Sequence, residues 1–182
     1  FEKGVRLEDI NLPTNNSWIL KKYFLEMAIL TVWADKKVEA PEQNFLQDFS
    51  AYLDFHADDL ENSQLAVEGF VLEHWEQLSS LQNKLDYNTV SQQFLKRLAH
   101  VAEQNKLKLV REVKGSEELV GLLKKARSQE LDEAEKNRLH ELLMVVLKAI
   151  PTFVLVSLPQ HFLTLPMLMQ ILPKNFFQEV NS

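Results

Sequence analysis

The stretch that decides the fold lies near the start of the chain and reads SWILKKYFLEMAILTVWA, residues 17–34. Apolar side chains fall on nearly every face of a helix built from it, so we predict a central, buried helix. Its aromatic residues Trp18, Phe24 and Trp33 are assigned to the core, because large aromatic side chains are usually buried.

Three further helices follow from the spacing of apolar residues. The second begins near Pro41, since proline suits the first position of a helix. One face of it carries Phe45, Leu46, Phe49, Tyr52 and Leu53. The third runs from about residue 57 to about residue 81. The fourth begins at Asp86 or Asn88, and one face of it carries Val90, Phe94, Leu98, Val101 and Ala102.

A second part of the chain begins after Gly115-Ser116, where two helices, about 117–128 and 133–150, are predicted to form a hairpin. The second of them starts with Asp132 and Glu135 at the spacing of a capping box. Few glycines and many good helix formers predict an all-α protein. The predicted organisation has three parts: an irregular lead-in over 1–16, an acidic helical bundle over 17–114, and a hairpin with an apolar tail over 115–182.

Charge and cysteine content exclude several classes of function. Residues 1–105 carry 9 basic and 17 acidic side chains, whereas residues 106–182 carry 11 and 9. The acidic part repels phosphates and the excess of positive charge in the rest is small, so no nucleic-acid partner is expected. The absence of cysteine excludes disulfides, thiolate metal sites and cysteine nucleophiles. Because the chain begins at Phe1, we expect it to be a piece of a longer protein.

The tail from 149 to 173 contains no Asp, Glu, Lys or Arg, and four prolines interrupt it every seven or eight residues. Two arms, 150–158 and 162–172, meet at 159–161, and each as a helix reaches only half of a bilayer core. One interpretation is a re-entrant or interfacial membrane element whose flanking Lys148 and Lys174 stay on one side. The other, equally weighted, is that both arms complete a protein core.

The segment 115–177 resembles the Letm family. It combines a basic helix, an acid-capped helix ending in LKAIP (147–151), and an apolar segment with spaced prolines that closes on LPKNF (172–176). The resemblance implies a membrane location for the apolar segment, and cation exchange and ribosome association for the whole protein. The chain stops at Ser182, about where the ribosome-binding domain of the family begins, so no ribosome partner is expected. No calcium loop of the form D-x-[DN]-x-[DN]-G occurs.

The first part, about 17–105, is similar to the TerB family of small helical bundles, through the stretch ADKKVEAPEQNFL (34–46). Lys36 stands where that family has glycine. Asp35, Glu39 and Glu42 could supply oxygen ligands to a divalent cation, the only cofactor considered. The stronger interpretation is structural, because carboxylates are favoured at a helix N-terminus and Lys36 adds positive charge where a metal would bind.

Docking residues are predicted on the hairpin and the tail. A basic set on the hairpin lies beside apolar residues and could meet anionic lipid or a partner, and an ionisable residue at the tip of the tail needs water or a partner. The predicted docking residues of the hairpin and the tail are Lys124, Lys125, Arg127, Lys148, Pro151, Pro159, His161, Pro166, Pro173 and Lys174. No histidine or serine arrangement indicates catalysis, so no enzyme is expected.

These patterns lead to one functional hypothesis and one alternative. The hypothesis is a non-enzymatic binding or scaffold module in the bacterial cytoplasm or at the cytoplasmic face of the inner membrane. Its acidic bundle recruits a protein partner, and its tail docks on membrane or protein. The alternative is a role in cation transport or homeostasis by analogy with the Letm family, which requires an oligomer because two half-span arms cannot line a pathway alone.

Overall fold

The computed structural model describes residues 7–12, 17–33, 40–83 and 85–181, and every regular element within them is helical, as predicted. Two short 3-10 helices span Leu7–Asp9 and Trp75–Gln77. The α-helices are α1 Trp18–Trp33, α2 Ala40–Tyr52, α3 Ala57–Glu73, α4 Ser79–Gln82, α5 Tyr87–Gln104, α6 Lys106–Lys114, α7 Glu117–Ser128, α8 Glu133–Leu147, α9 Pro151–Leu155, α10 Leu165–Ile171 and α11 Phe176–Asn181.

Local side-chain hydrogen bonds explain where several helices begin. The Asp86 carboxylate accepts from the backbone N–H of Thr89 at the start of α5, and the Ser116 hydroxyl caps α7 in the same way. Asp132 and Glu135 form the predicted capping box of α8. All five residues predicted on the inner face of α5 are buried. These predictions are therefore confirmed.

The predicted third helix is too long, because α3 ends at Glu73 rather than near residue 81. The chain leaves the helix at His74 and forms a 3-10 turn, which brings the Trp75 ring edge-on to Tyr87 with centroids 5.1 Å apart. The side-chain amide of Gln82 donates to the Trp75 carbonyl at 2.6 Å and holds this bend. Aromatic packing across the bend thus overrides local helix propensity.

Two predictions of burial near the start of the chain are wrong. On α2, Phe45 and Tyr52 are exposed at the edge of the apolar face, and the buried line runs through three neighbours, Leu46, Phe49 and Leu53. On α1, only one side of the helix is covered, by α2 and α3. Leu25 and Ile29 are buried there, whereas Trp18 is more than half exposed. The helix is therefore peripheral and not central.

The tail packs against the other helices: α9 contacts α3, α10 contacts α5 and α8, and α11 contacts α6. Large tail side chains are fully buried in a core that is continuous with that of the bundle. They include Phe153, Leu163, Leu168, Ile171 and Phe176. Among the helices that the structure describes, none combines the length and the hydropathy that a membrane span requires. Buried side chains of both arms thus contribute to a protein core, whereas Val154 and Leu155 of the first arm are exposed.

A glycine on α3 allows the tip of the tail to approach the bundle. A Cβ atom at Gly69 would lie 3.3 Å from the Phe94 ring and 3.4 Å from Cδ of Pro159. Both contacts would be tight, so a larger side chain here would push Phe94 or Pro159 away. The predicted docking residue Pro159 is therefore a buried contact of the tail with α3.

Candidate docking surface and neighbouring sites

The outward face of α1 is an apolar stripe that no described part of the chain covers. Ile19, Tyr23 and Met27 are four residues apart, so they lie in one row along the helix. Their exposed fractions are 74%, 57% and 42%. Soluble proteins do expose single apolar residues, but a row of three on one helix is a candidate interaction surface. We call these three residues the α1 stripe.

The charged residues of α1 are all engaged in ion pairs within the bundle. The Lys21 ammonium lies 2.6 Å from the Asp54 carboxylate, and the Lys22 ammonium lies 2.9 Å from that of Glu26. Lys22 also contacts the Trp18 ring at 5.8 Å. The three residues of the α1 stripe carry no charge, and the charged residues beside them are already paired. The segment 1–105 that contains the stripe has more acidic than basic side chains.

Several of the predicted docking residues on the hairpin and tail make contacts inside the molecule. Lys125 pairs with Glu135 across the hairpin, and the Arg127 guanidinium lies 5.7 Å from the Phe177 ring. The backbone N–H of Lys174 donates to Glu103 at 2.9 Å. These contacts join the hairpin and the tail to their neighbours.

Other predicted docking residues occupy helix ends or the surface. Pro151 is the first residue of α9 and Pro166 the second of α10, both exposed, whereas Pro173 is buried just beyond α10. Lys124 and Lys148 are exposed. The basic and proline residues therefore do not all share one environment.

The tip of the tail is attached to α3 through Glu73. Its carboxylate accepts hydrogen bonds from the backbone N–H groups of His161 and Phe162, each at 3.2 Å, and pairs with the His161 ring. Burial raises the pKa of Glu73, but the hydrogen bonds from His161 and Phe162 outweigh it and hold the pKa below its usual value. The His161 side chain is 93% exposed and its ring pairs with Glu73, so this residue meets both water and a partner. We call this arrangement the Glu73 clasp.

The candidate metal ligands are only partly described. Asp35 and Glu39 lie outside the described residues, and Glu42 is in the first turn of α2, partly buried. In the part of the chain that the structure describes, no group of three or more His, Asp or Glu side chains could hold a metal ion. The divalent cation stays a prediction.

The sequence analysis missed a buried ion pair. Glu68 on α3 is fully buried, and Nε of Arg97 on α5 donates to its Oε1 at 3.1 Å. Burial raises the pKa of Glu68 to about 7, although Arg97 acts in the opposite direction. The sequence did indicate that Glu68 is buried, because it lies between Leu65 and Leu72 on the buried face of α3.

Together, the fold and these sites define an all-helical protein in which an apolar face of α1 is uncovered by the described residues and an acidic group is buried. The chain matches no family model, no curated protein and no solved structure. The resemblances to the Letm and TerB families therefore stay predictions.

Proposed function

We propose that this chain is a non-enzymatic protein-binding module whose α1 stripe takes an amphipathic helix of a partner protein. The observation that carries the proposal is the exposed row of Ile19, Tyr23 and Met27. A helix laid against such a row buries its own apolar residues at the same spacing. As the sequence analysis predicts, the role belongs to the bacterial cytoplasm or the cytoplasmic face of the inner membrane.

Charge complementarity specifies the partner further. The α1 stripe carries no charge of its own, and the segment 1–105 has eight more acidic than basic side chains. A partner helix whose apolar row is flanked by Lys and Arg therefore meets apolar contacts at the centre and attraction at the rim. An acid-flanked helix would be repelled.

The first step of the test is to locate the contact in cells. A photo-reactive phenylalanine analogue replaces Tyr23, and in a matched control it replaces Leu107, an apolar residue of α6 that is 83% exposed. We expect one discrete adduct from position 23 that is absent from position 107. The cross-linked partner segment is then identified and synthesised.

The second step is to measure the affinity of that segment by fluorescence anisotropy. Ile19→Lys should weaken binding about tenfold or more, as for a central interface residue, whereas Leu107→Lys should leave it unchanged. Equal binding by both variants, or a partner segment without an apolar row and basic flanks, would refute the proposal.

A second candidate, docking on a membrane surface, rests on the corner where α8 meets α9. Val145, Val154 and Leu155 are exposed there, together with Lys148. An apolar edge beside a lysine suits the headgroup region of an anionic bilayer. The role in cation transport stays a prediction.

Point variants test this candidate better than truncation after Lys148, which would remove the fully buried Phe153 and Phe176. We expect the chain to co-sediment with vesicles containing phosphatidylglycerol, and Val154→Asp with Leu155→Asp to abolish this. Leu107→Asp is the control and should sediment like the unmodified chain. Sedimentation that the double variant does not reduce would exclude the α9 edge as the membrane contact.

A further inference from the structure

A polar cleft of about 460 Å³ lies between α2, α3 and α5. Each of the three helices contributes one glutamine side chain to its lining, namely Gln43, Gln64 and Gln93. Amide groups can both donate and accept hydrogen bonds. The volume falls within the range of small-molecule sites in proteins.

The buried wall of this cleft contains a carboxylate oxygen without a donor. Oε1 of Glu68 accepts from Arg97, but among the described residues Oε2 has no hydrogen-bond partner, although it is buried. Leaving a buried charged acceptor unpaired costs free energy, and a donor brought by a bound molecule would recover it. The pKa of Glu68, raised to about 7 by burial, is consistent with incomplete compensation by Arg97.

Positively charged groups stand directly beside this carboxylate. Within the described ranges, the single hydrogen bond through Nε is all that engages Arg97, so its remaining N–H groups can bind an acceptor. Lys96 also lines the cleft and forms no ion pair with any described residue. The cleft thus presents an acceptor for a cation next to donors for an anion.

We propose that this cleft binds a free α-amino acid with a polar side chain. Its ammonium group pairs with the Glu68 carboxylate, which turns its covered Oε2 toward the cleft, its carboxylate accepts from Arg97, and its side chain meets the glutamine amides. A free α-amino acid carries an ammonium group and a carboxylate on the same carbon, which matches the direct contact of Glu68 with Arg97 at 3.1 Å. A metal ion is disfavoured because the guanidinium puts positive charge beside the carboxylate.

Binding is measured on the whole chain by NMR, with L-glutamine, L-asparagine and L-serine as separate probes at millimolar concentration. We expect at least one of them to cause saturable shifts at Gln64, Arg97 and neighbouring amides. N-acetylation of that probe removes the cation and amidation of its carboxyl group removes the anion, and each should weaken binding about tenfold or more.

Variants separate recognition from stability. Glu68→Gln keeps the side-chain volume and removes the buried charge, so the chain should stay folded while the affinity falls about tenfold or more. Glu118→Gln is the matched control, since Glu118 pairs with Arg138 on the hairpin and does not line the cleft. Arg97→Lys provides a second variant and should weaken the probe but not its amidated form.

Three results would overturn the proposal. The first is the absence of shifts in the cleft with any of the three probes. The second is equal binding of the N-acetyl or amide form, and the third is unchanged affinity in folded Glu68→Gln. This inference is independent of the α1 stripe, so it can fail while partner binding stands.

Discussion

Glu68 is a fully buried carboxylic acid in a helix of the bundle. Burial raises its pKa from 4.5 to about 7, so the folded protein binds this proton more tightly than the unfolded chain. The stabilisation that comes from this raised pKa is therefore fully present below about pH 4.5, and it is lost as the pH rises through about 7. At about 1.4 kcal/mol for each pH unit, the loss is roughly 3 kcal/mol.

We therefore predict that Glu68→Gln makes the protein more stable at about pH 8 than the unmodified chain, by roughly 1 to 3 kcal/mol, with little difference at about pH 4. Urea unfolding at a series of pH values measures the free energy of unfolding. The cleft between α2, α3 and α5 that Glu68 lines also contains three other ionisable side chains, those of Glu61, Lys96 and His100. His100→Gln is the control, because it removes another ionisable side chain from the same cleft. Parallel stability curves for Glu68→Gln and the unmodified chain would contradict the prediction.

Two glycines make a matched pair for testing close packing. Gly69 faces Phe94 and Pro159, whereas a Cβ atom at Gly121 on α7 would meet nothing within 4 Å. We predict that Gly69→Leu destabilises the protein by about 1 to 3 kcal/mol through overpacking. Gly121→Leu should stabilise it by up to about 1 kcal/mol through helix propensity. Thermal unfolding of both variants measures this, and equal effects would show that Gly69 is not a packing site.

The Glu73 clasp belongs to the scale of the element, because it attaches the turn between α9 and α10 to the end of α3. Glu73→Ala leaves the backbone N–H groups of His161 and Phe162 without their acceptor. We predict a loss of about 1 to 3 kcal/mol and faster hydrogen exchange at both amides. Glu76→Ala is the control, since Glu76 is exposed in the adjacent 3-10 helix.

The direction of the pKa shift at Glu73 adds a pH dependence to this prediction. Because its pKa is lowered in the folded protein, the stabilisation is present above the ordinary value of 4.5 and is lost as the pH falls through the lowered value. The difference between Glu73→Ala and the unmodified chain should therefore shrink in acid. A difference that stays constant down to strongly acidic pH would argue against an ionised clasp.

The positions where helices begin and end were predictable to different degrees. The start of α5, predicted at Asp86 or Asn88, and that of α8 at Asp132 followed from capping residues, whose hydrogen bonds are local. The end of α3 was not predictable in this way. It depends on Trp75 reaching Tyr87, a contact between residues that are separated along the chain. Local rules describe a helix end only where local contacts decide it.

At the scale of the whole molecule, the shared core predicts cooperative unfolding. Phe153 of the tail is fully buried, whereas Leu155 of the same short helix is exposed. We predict that Phe153→Ala costs about 3 to 5 kcal/mol and raises hydrogen exchange in α3 and α5 as well as in the tail. Leu155→Ala should change stability by less than about 0.5 kcal/mol. Two separate calorimetric transitions in the unmodified chain would show instead that the tail folds independently.

The sequence by itself determined that the chain is helical and where most helices begin, because periodicity, propensity and capping act over a few residues. It also contained the buried line of α5 in full. Only the tertiary structure decided which apolar helix faces pack against other helices. No described residue covers the face of α1 that carries Ile19, whereas the apolar tail packs against α3 and α5.

For the candidate sites, too, the sequence determined one part and the tertiary structure the other. Glu68 and Arg97 are 29 residues apart, and His161 is 88 residues from Glu73. Neither pairing leaves a pattern within one helix, because the attraction between two charges depends on their distance in space and on the water excluded around them. The sequence supplied the charged groups and the apolar stripe of α1, and the packing of the helices decided which of them are paired, buried or left open to a partner.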